Sequence, residues 1–306
     1  MNAVVLVVVL AASWLLRRSI AARVERTSLR DLPRGPDGII EGARPIDRHV
    51  GRERAVLILH GFGDTPQTVG YLAEYLHGLG FSVRAPLLPG HGRTLREFGG
   101  STAEAWLEGA ARHLAAIRSE YDAVGVVGVS MGGSLSVILA AGAADQGRLP
   151  NAMVLIAPYL SMRPRARRLA ALHWALAPFI RYLPAREEAS IKDEFERKSN
   201  RGFGTVTPRL LNELQRLVSR ARRALADVAV PTLVIQSRDD NRIEPGAAQQ
   251  SFDRLGAREK RFEWTDGGGH VITVDVGRER VLALTGEWLL ARVGRDRSPS
   301  PAATIQ

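Results

Sequence analysis

The chain has 306 residues, 45% of them hydrophobic and 24% charged, with a formal net charge of +10 and no cysteine. This is the composition of a globular protein built on one large core or two small ones, and it excludes a disordered, collagen-like or disulfide-stapled chain. It also excludes a thiol nucleophile and Cys-ligated metal. The charge is carried by arginine, since only Lys192, Lys198 and Lys260 are lysines. It reads either as attraction to an anionic surface or as a solvated basic exterior. No nucleic-acid-binding module accompanies it, so nucleic acid is not an expected partner and a membrane surface fits the charge better.

Residues 3–16 are apolar except for Ser13, and Arg17-Arg18 follow. A helix needs about 20 apolar residues to span a bilayer, so this run is short. Its length suits a signal-peptide core, but no basic residue precedes it. The leading expectation is an N-terminal membrane anchor, with the arginines leaving the following domain cytoplasmic. The alternative is a cleaved signal and a secreted or periplasmic domain. Residues 17 to about 36 are Arg-rich with Pro33 and Pro36 and read as a linker.

From there, short apolar runs alternate with helical periodicity. A short strand or hairpin is expected within residues 39–50. The runs 55–59, 81–85, 123–127, 152–157 and 231–236 read as strands, several buried on both faces. A strand near 261–264 follows. Helices are expected over 66–79, 101–119, 133–141, 245–255 and 276–293, the second with Ser101 and Glu104 as a capping box. Strands alternating with helices predict an α/β fold with a mostly parallel sheet flanked by helices. Residues 159–227 break the rhythm: they hold Arg163, Arg165, Arg167 and Arg168, an apolar run with Trp174 and Phe179, and a second helical run from 208 to 225. They read as a helical cap over the C-terminal edge of the sheet, where ligands bind in open α/β folds. The expected organisation is therefore an N-terminal apolar segment and linker (1–36), a core (37–158 and 228–293), a cap (159–227) and a disordered tail (294–306).

The chemistry centres on Gly128-Val129-Ser130-Met131-Gly132, between a strand and a helix. A Gly-x-Ser-x-Gly there is a nucleophile elbow: a turn sharp enough to need glycines, lifting the hydroxyl clear of the sheet at a helix N-terminus. A serine hydroxyl needs a base, and the base an orienting acid. Of the histidines downstream, His173 lies in an apolar cap run and reads as a packing or membrane-facing residue. His270, in Asp266-Gly267-Gly268-Gly269-His270-Val271, sits on a flexible loop and is the expected base. The acid is expected after the 231–236 strand, where Asp239 and Asp240 are adjacent. Oxyanion donors are expected from the backbone N–H groups of Met131 and, in the loop His60-Gly61-Phe62-Gly63, of Phe62. His60 and His91 read as residues that hold loops. No residue spacing suggests a metal, and no cofactor is expected.

These segments, with Pro86-Leu87-Leu88-Pro89-Gly90-His91-Gly92, Gln236-Ser237-Arg238-Asp239-Asp240 and Gly269-His270-Val271-Ile272-Thr273, resemble the α/β-hydrolases of the bacterial carboxylesterase and monoacylglycerol-lipase type (serine aminopeptidase, hydrolase-4 type) over roughly residues 37–293. The resemblance implies an α/β-hydrolase fold with a helical cap. It implies Ser130 as nucleophile, His270 as base, Asp240 rather than Asp239 as acid, and Phe62 and Met131 as oxyanion donors. It implies hydrolysis of aliphatic acyl esters, possibly monoacylglycerol, through an acyl-enzyme. A thioesterase or acyltransferase would use the same set, and a membrane-anchored, catalytically silent lipid- or partner-binding protein is the non-enzymatic alternative. The N-terminal apolar segment and the basic cap point to association of such an enzyme with a lipid surface.

Overall fold

The computed structural model describes residues 3–143, 149–185 and 190–294. The chain opens with helix α1 (Ala3–Asp31) and passes through strands β1 (Ile46–Arg48) and β2 (Arg54–Leu59). A 3-10 turn over Pro66–Val69 leads into α2 (Gly70–Gly78) and then β3 (Ser82–Ala85), α3 (Leu95–Gly100) and α4 (Ala103–Glu120). β4 (Ala123–Val129), α5 (Met131–Ala143) and β5 (Ala152–Ile156) follow. An insert then carries α6 (Pro164–Ala171), α7 (His173–Leu176), β6 (Leu183–Pro184), α8 (Glu194–Ser199), β7 (Thr205–Val206) and α9 (Pro208–Ala224). β8 (Thr232–Ser237), α10 (Pro245–Asp253), β9 (Lys260–Thr265) and α11 (Arg278–Leu290) complete the described chain.

The main sheet has seven strands in the order β1-β3-β2-β4-β5-β8-β9. β1 is antiparallel to β3, and every other pairing is parallel. β2 shows why its strand is a continuous apolar run. Ala55, Leu57 and Leu59 belong to one core cluster and Val56 and Ile58 to another, on the opposite face. Successive strand side chains point to opposite faces, so a strand buried on both must be apolar at every position. α4, α5 and α9 contribute to the first cluster, α2 and α11 to the second. The parallel strands all end on one edge, and the insert between β5 and β8 lies across it.

Two local expectations are corrected. The Arg-rich stretch after residue 16 is not a linker up to about residue 36: α1 continues unbroken to Asp31. Its second half packs on the domain, with Ala21 buried and Val24 and Leu32 against the core, so spaced apolar contacts hold as helix what the arginines made look extended. Glu25 fastens it further, accepting from the Tyr182 hydroxyl at 2.6 Å and lying 3.4 Å from both Arg96 and Arg181. Helix α4 is capped by Thr102, whose hydroxyl accepts from Ala105 N–H, and not by Ser101. Ser101 Oγ instead donates to the Phe98 carbonyl at the end of α3.

Along α1 up to residue 20, Val5, Val8, Trp14, Leu15, Leu16 and Ile20 are exposed. Among the described residues no helix is long and apolar enough to cross a membrane. Residues 295–306, which make up nearly all of the expected disordered tail, lie outside the described residues.

Candidate active site

The site is built from four loops at the C-terminal edge of the sheet, those that follow β2, β4, β8 and β9. At the β4–α5 turn, Ser130 adopts a left-handed backbone with φ 53°. Its neighbours explain the two glycines: a Cβ on Gly128 would run into the Gly132 carbonyl and the Ser136 hydroxyl, and one on Gly132 into the Leu59 carbonyl. The strained turn is held by Ser130 N–H donating to the Ile156 carbonyl at 3.0 Å, while the Ser130 carbonyl accepts from Gly133 and Tyr159 N–H, each at 2.9 Å. Met131 then opens α5 and is fully buried.

Ser130 Oγ lies 2.8 Å from His270 Nε2, and His270 Nδ1 lies 2.8 Å from Asp240 Oδ2. An ionised carboxylate only accepts, so His270 carries its proton on Nδ1 and leaves Nε2 to accept from the serine hydroxyl. The Asp240 carboxylate is buried and well supplied with donors. Gln236 Nε2 donates to Oδ2 at 2.7 Å, and the N–H groups of Arg242 and Ile243 donate to Oδ1 at 2.7 and 2.9 Å. Burial alone would raise its pKa. Electrostatic attraction to the His270 ring and the hydrogen bonds from His270, Ile243 and Arg242 outweigh that and hold it below the ordinary carboxylate value.

Asp239 turns away. Its Oδ2 accepts from Lys192 Nζ at 2.9 Å and from Gly267 N–H at 3.2 Å, both of which lower its pKa. The structure therefore brings Ser130, His270 and Asp240 together and leaves Asp239 outside the chain of bonds. His173 also lies apart, with its Nδ1 3.0 Å from the Ala170 carbonyl.

The Phe62 loop is held by two buried histidines. His91 Nε2 accepts from Gly63 N–H at 3.1 Å and its Nδ1 faces the Pro89 carbonyl. His60 Nε2 accepts from Leu88 N–H at 3.1 Å and its Nδ1 faces the Gly61 carbonyl. These bonds require neutral rings. Burial pushes His60 down to about 4, and burial together with the neighbouring His60 pushes His91 down to about 3. Phe62 itself packs on Phe98 and Trp106.

Phe62, Ser130, Tyr159 and His270 line a cavity together with residues of the insert, among them Ala166, Phe203, Val206, Leu211 and Leu214. Among the described residues no group of His, Cys, Asp or Glu is placed to hold a metal.

The site also depends on residues to which the sequence reading assigned no role. Asp275, fully buried, accepts from the N–H groups of Gly269 (2.6 Å), Val276 (2.8 Å), Lys192 (2.9 Å) and Asp193 (2.8 Å). The Ser190 carbonyl accepts from both His270 and Val271 N–H at 3.0 Å. The His270 loop and the residues leading into α8 are thus tied to one another. The only sequence signal was an acid between Val274 and Val276 in an otherwise apolar run.

Sheet order, elbow and the Ser130–His270–Asp240 arrangement define an α/β-hydrolase. Residues 51–277 match the family model described as serine aminopeptidase, S33, and the chain belongs to that family. It is 29% identical over 235 residues to a carboxylesterase of Bacillus subtilis (strain 168), covering 76% of this chain and 90% of that protein. It is 26% identical over 258 residues to a thermostable monoacylglycerol lipase of Bacillus sp. (strain H-257), covering 84% and 98%. A solved structure from work on LipS and LipT, two metagenome-derived lipolytic enzymes, superposes with a TM-score of 0.75 at 28% identity, over 83% of this chain and all of that one. The Paleococcus ferrophilus monoacylglycerol lipase shares the fold at a TM-score of 0.69 and 21% identity, over 81% and 98%.

Two outcomes are expected. Asp275→Asn replaces an acceptor-only carboxylate by an amide whose NH2 faces a buried N–H. Urea unfolding should show a loss of about 1–3 kcal/mol, and ester turnover should fall with it. Acid should also weaken the fold through His60 and His91. Their folded pKa values lie below the unfolded 6.5, so the unfolded chain takes up protons first. Their contribution is complete above about pH 6.5 and is lost below it, at about 1.4 kcal/mol per pH unit for each ring. Urea midpoints between pH 7 and 5 read this slope. His91→Gln, which keeps an acceptor for Gly63 N–H, should remove about one ring's share of it.

Proposed function

We propose that this carboxylic ester hydrolase works through an acyl-enzyme on Ser130, with His270 as base and Asp240 as the acid that orients it. The observation that carries the reading is the unbroken chain of 2.8 Å contacts from Ser130 Oγ to Asp240 Oδ2 at the wall of a largely apolar cavity. Ser130 Oγ attacks the ester carbonyl as its proton passes to His270 Nε2. Asp240 stabilises the resulting imidazolium, and the N–H groups of Phe62 and Met131 receive the oxyanion. His270 returns the proton to the leaving alcohol, then activates water to release the acid.

The acyl chain is proposed to lie against Phe203, Val206, Leu211 and Leu214. The cavity, about 190 Å³, falls below the roughly 300–1,000 Å³ of pockets that enclose drug-sized ligands. That size favours short aliphatic acyl groups, with monoacylglycerols among the candidate substrates.

Membrane attachment through α1 is proposed as a surface contact. Its exposed Trp14, Leu15, Leu16 and Ile20, set among Arg17, Arg18 and Arg23, combine apolar contact with positive charge in the way that suits an anionic lipid surface.

A fluorophosphonate should label Ser130, and a folded protein that resists it would sink the enzyme mechanism. Ser130→Ala should lower p-nitrophenyl ester turnover by roughly 10⁴-fold or more. Asp240→Asn should cost roughly 10³–10⁴-fold, and Asp239→Asn, which removes an exposed ion pair, at most about threefold; the reverse order would swap the acid. Co-sedimentation with vesicles containing phosphatidylserine should fall on Trp14→Glu/Leu15→Glu substitution. Equal binding by wild type and variant would remove α1 from the membrane reading.

A further inference from the structure

The cavity beside Ser130 has a charged end that ester hydrolysis does not use. Arg197, on α8, lines it. Its guanidinium makes only two long contacts, from Nη1 to the carbonyls of Ile191 (3.4 Å) and Lys192 (3.5 Å), and it faces no carboxylate among the described residues. The other charges of α8 are already engaged. Glu194 pairs with Lys198 at 2.6 Å, and Glu196 accepts from the Tyr71 hydroxyl at 2.7 Å with Arg278 at 3.9 Å.

Asn200, three residues on, lines the same cavity. Its Oδ1 accepts from Gly202 N–H at 2.6 Å, which identifies the oxygen and leaves its NH2 group without a partner among the described residues. Arg242 supplies a second guanidinium to the wall, held by Ser190 Oγ at 3.1 Å and the Ala185 carbonyl at 2.5 Å. Among the described residues that line the cavity near Ser130, Asp64 supplies the one carboxylate, and its two oxygens lie where a Cβ on Gly61 or on Gly202 would meet them.

The place of this cluster decides what it meets. Arg197 Nη1 rests on the carbonyl of Ile191, and Ile191 packs with Val271 and Val274 in a small cluster beside His270. His270 must protonate the departing alcohol, so the alcohol leaves on the His270 side while the acyl chain occupies the apolar side. A half-buried guanidinium without a counter-ion is costly, and the cost is recovered when a ligand brings the charge.

We infer that the alcohol-side end of the cavity, built on Arg197 and Asn200, binds a negatively charged group, so that the preferred substrates are short acyl esters whose alcohol carries an anion. A phosphate matches the guanidinium best, and a carboxylate is the second source of the same charge. The inference deepens the ester-hydrolase reading and rests on it for the direction in which the alcohol leaves.

Three monomeric substrates of one acyl length test it: hexanoylglycerol, hexanoylglycerol phosphate and hexanoyl glycerate. Wild-type kcat/KM should favour the phosphate over the neutral ester by about tenfold, mostly through KM, with the glycerate between them. The preference should shrink as salt is raised. Arg197→Leu should lower the anionic-to-neutral ratio by about tenfold, and Arg197→Lys should restore part of it. A wild-type ratio near one, or one unchanged in Arg197→Leu, overturns the inference.

Calorimetric binding of hexyl phosphate to Ser130→Ala protein reads the site without catalysis. Binding that Arg197→Leu abolishes supports the anion site even if esters are not turned over, a result that would fail only the hydrolase mechanism. Ester turnover with no binding of hexyl phosphate overturns the anion site alone.

Discussion

The left-handed backbone at Ser130 is the constraint on which the rest of the molecule turns. A non-glycine residue at φ 53° costs on the order of 1–3 kcal/mol, and it persists only where its surroundings fix it. Here the surroundings are β5 and the loop after it. The Ile156 carbonyl takes the serine N–H, and Tyr159 N–H returns to the serine carbonyl. The parallel register between β4 and β5 brings those groups within reach. The sheet therefore acts less as a floor for the site than as the clamp that keeps its hydroxyl raised. Gly128 and Gly132 are the steric condition for closing that clamp.

The second organising feature is the coupling of the insert to the histidine loop. Asp275 gathers N–H groups from Gly269 on one side and from Lys192 and Asp193 on the other, and Ser190 accepts from His270 itself. A loop rich in glycine is entropically costly to order. Here the order comes from a buried carboxylate whose acceptors are filled by backbone. The position of the imidazole and the position of the cavity wall built by the insert are consequently one variable, since a shift in the 190–193 segment moves both.

Much of this was legible in the sequence where the physics is local. Doubly buried strands must be apolar throughout, so β2, β4, β5 and β8 stood out as runs, and the elbow and the His270 loop carried their glycines openly. The choice between Asp239 and Asp240 was not local. Both follow β8 at a turn, and only the packing of Gln236 and the His270 loop separates the buried acid from the one that meets Lys192. Asp275 was invisible because the partners that tie it to the insert, the backbone N–H groups of Lys192 and Asp193, lie about eighty positions away. Arg197 was hidden among the charges of α8, where a solvated helix face and a cavity-lining cation have the same composition. The helical continuation of α1 to Asp31 was masked in a similar way, its few buried contacts being spaced among arginines.

Glu25 gives the first helix a mechanical meaning. By accepting from Tyr182 and facing Arg181 and Arg96, it links α1 at once to the insert, at the segment between α7 and β6, and to α3. A helix joined in this way is a strut and not a leash: it transmits orientation as well as proximity. Anything docked on the exposed side chains of α1, such as Trp14 and Leu15, would thereby be held in one orientation to the insert whose residues line the cavity at Ser130.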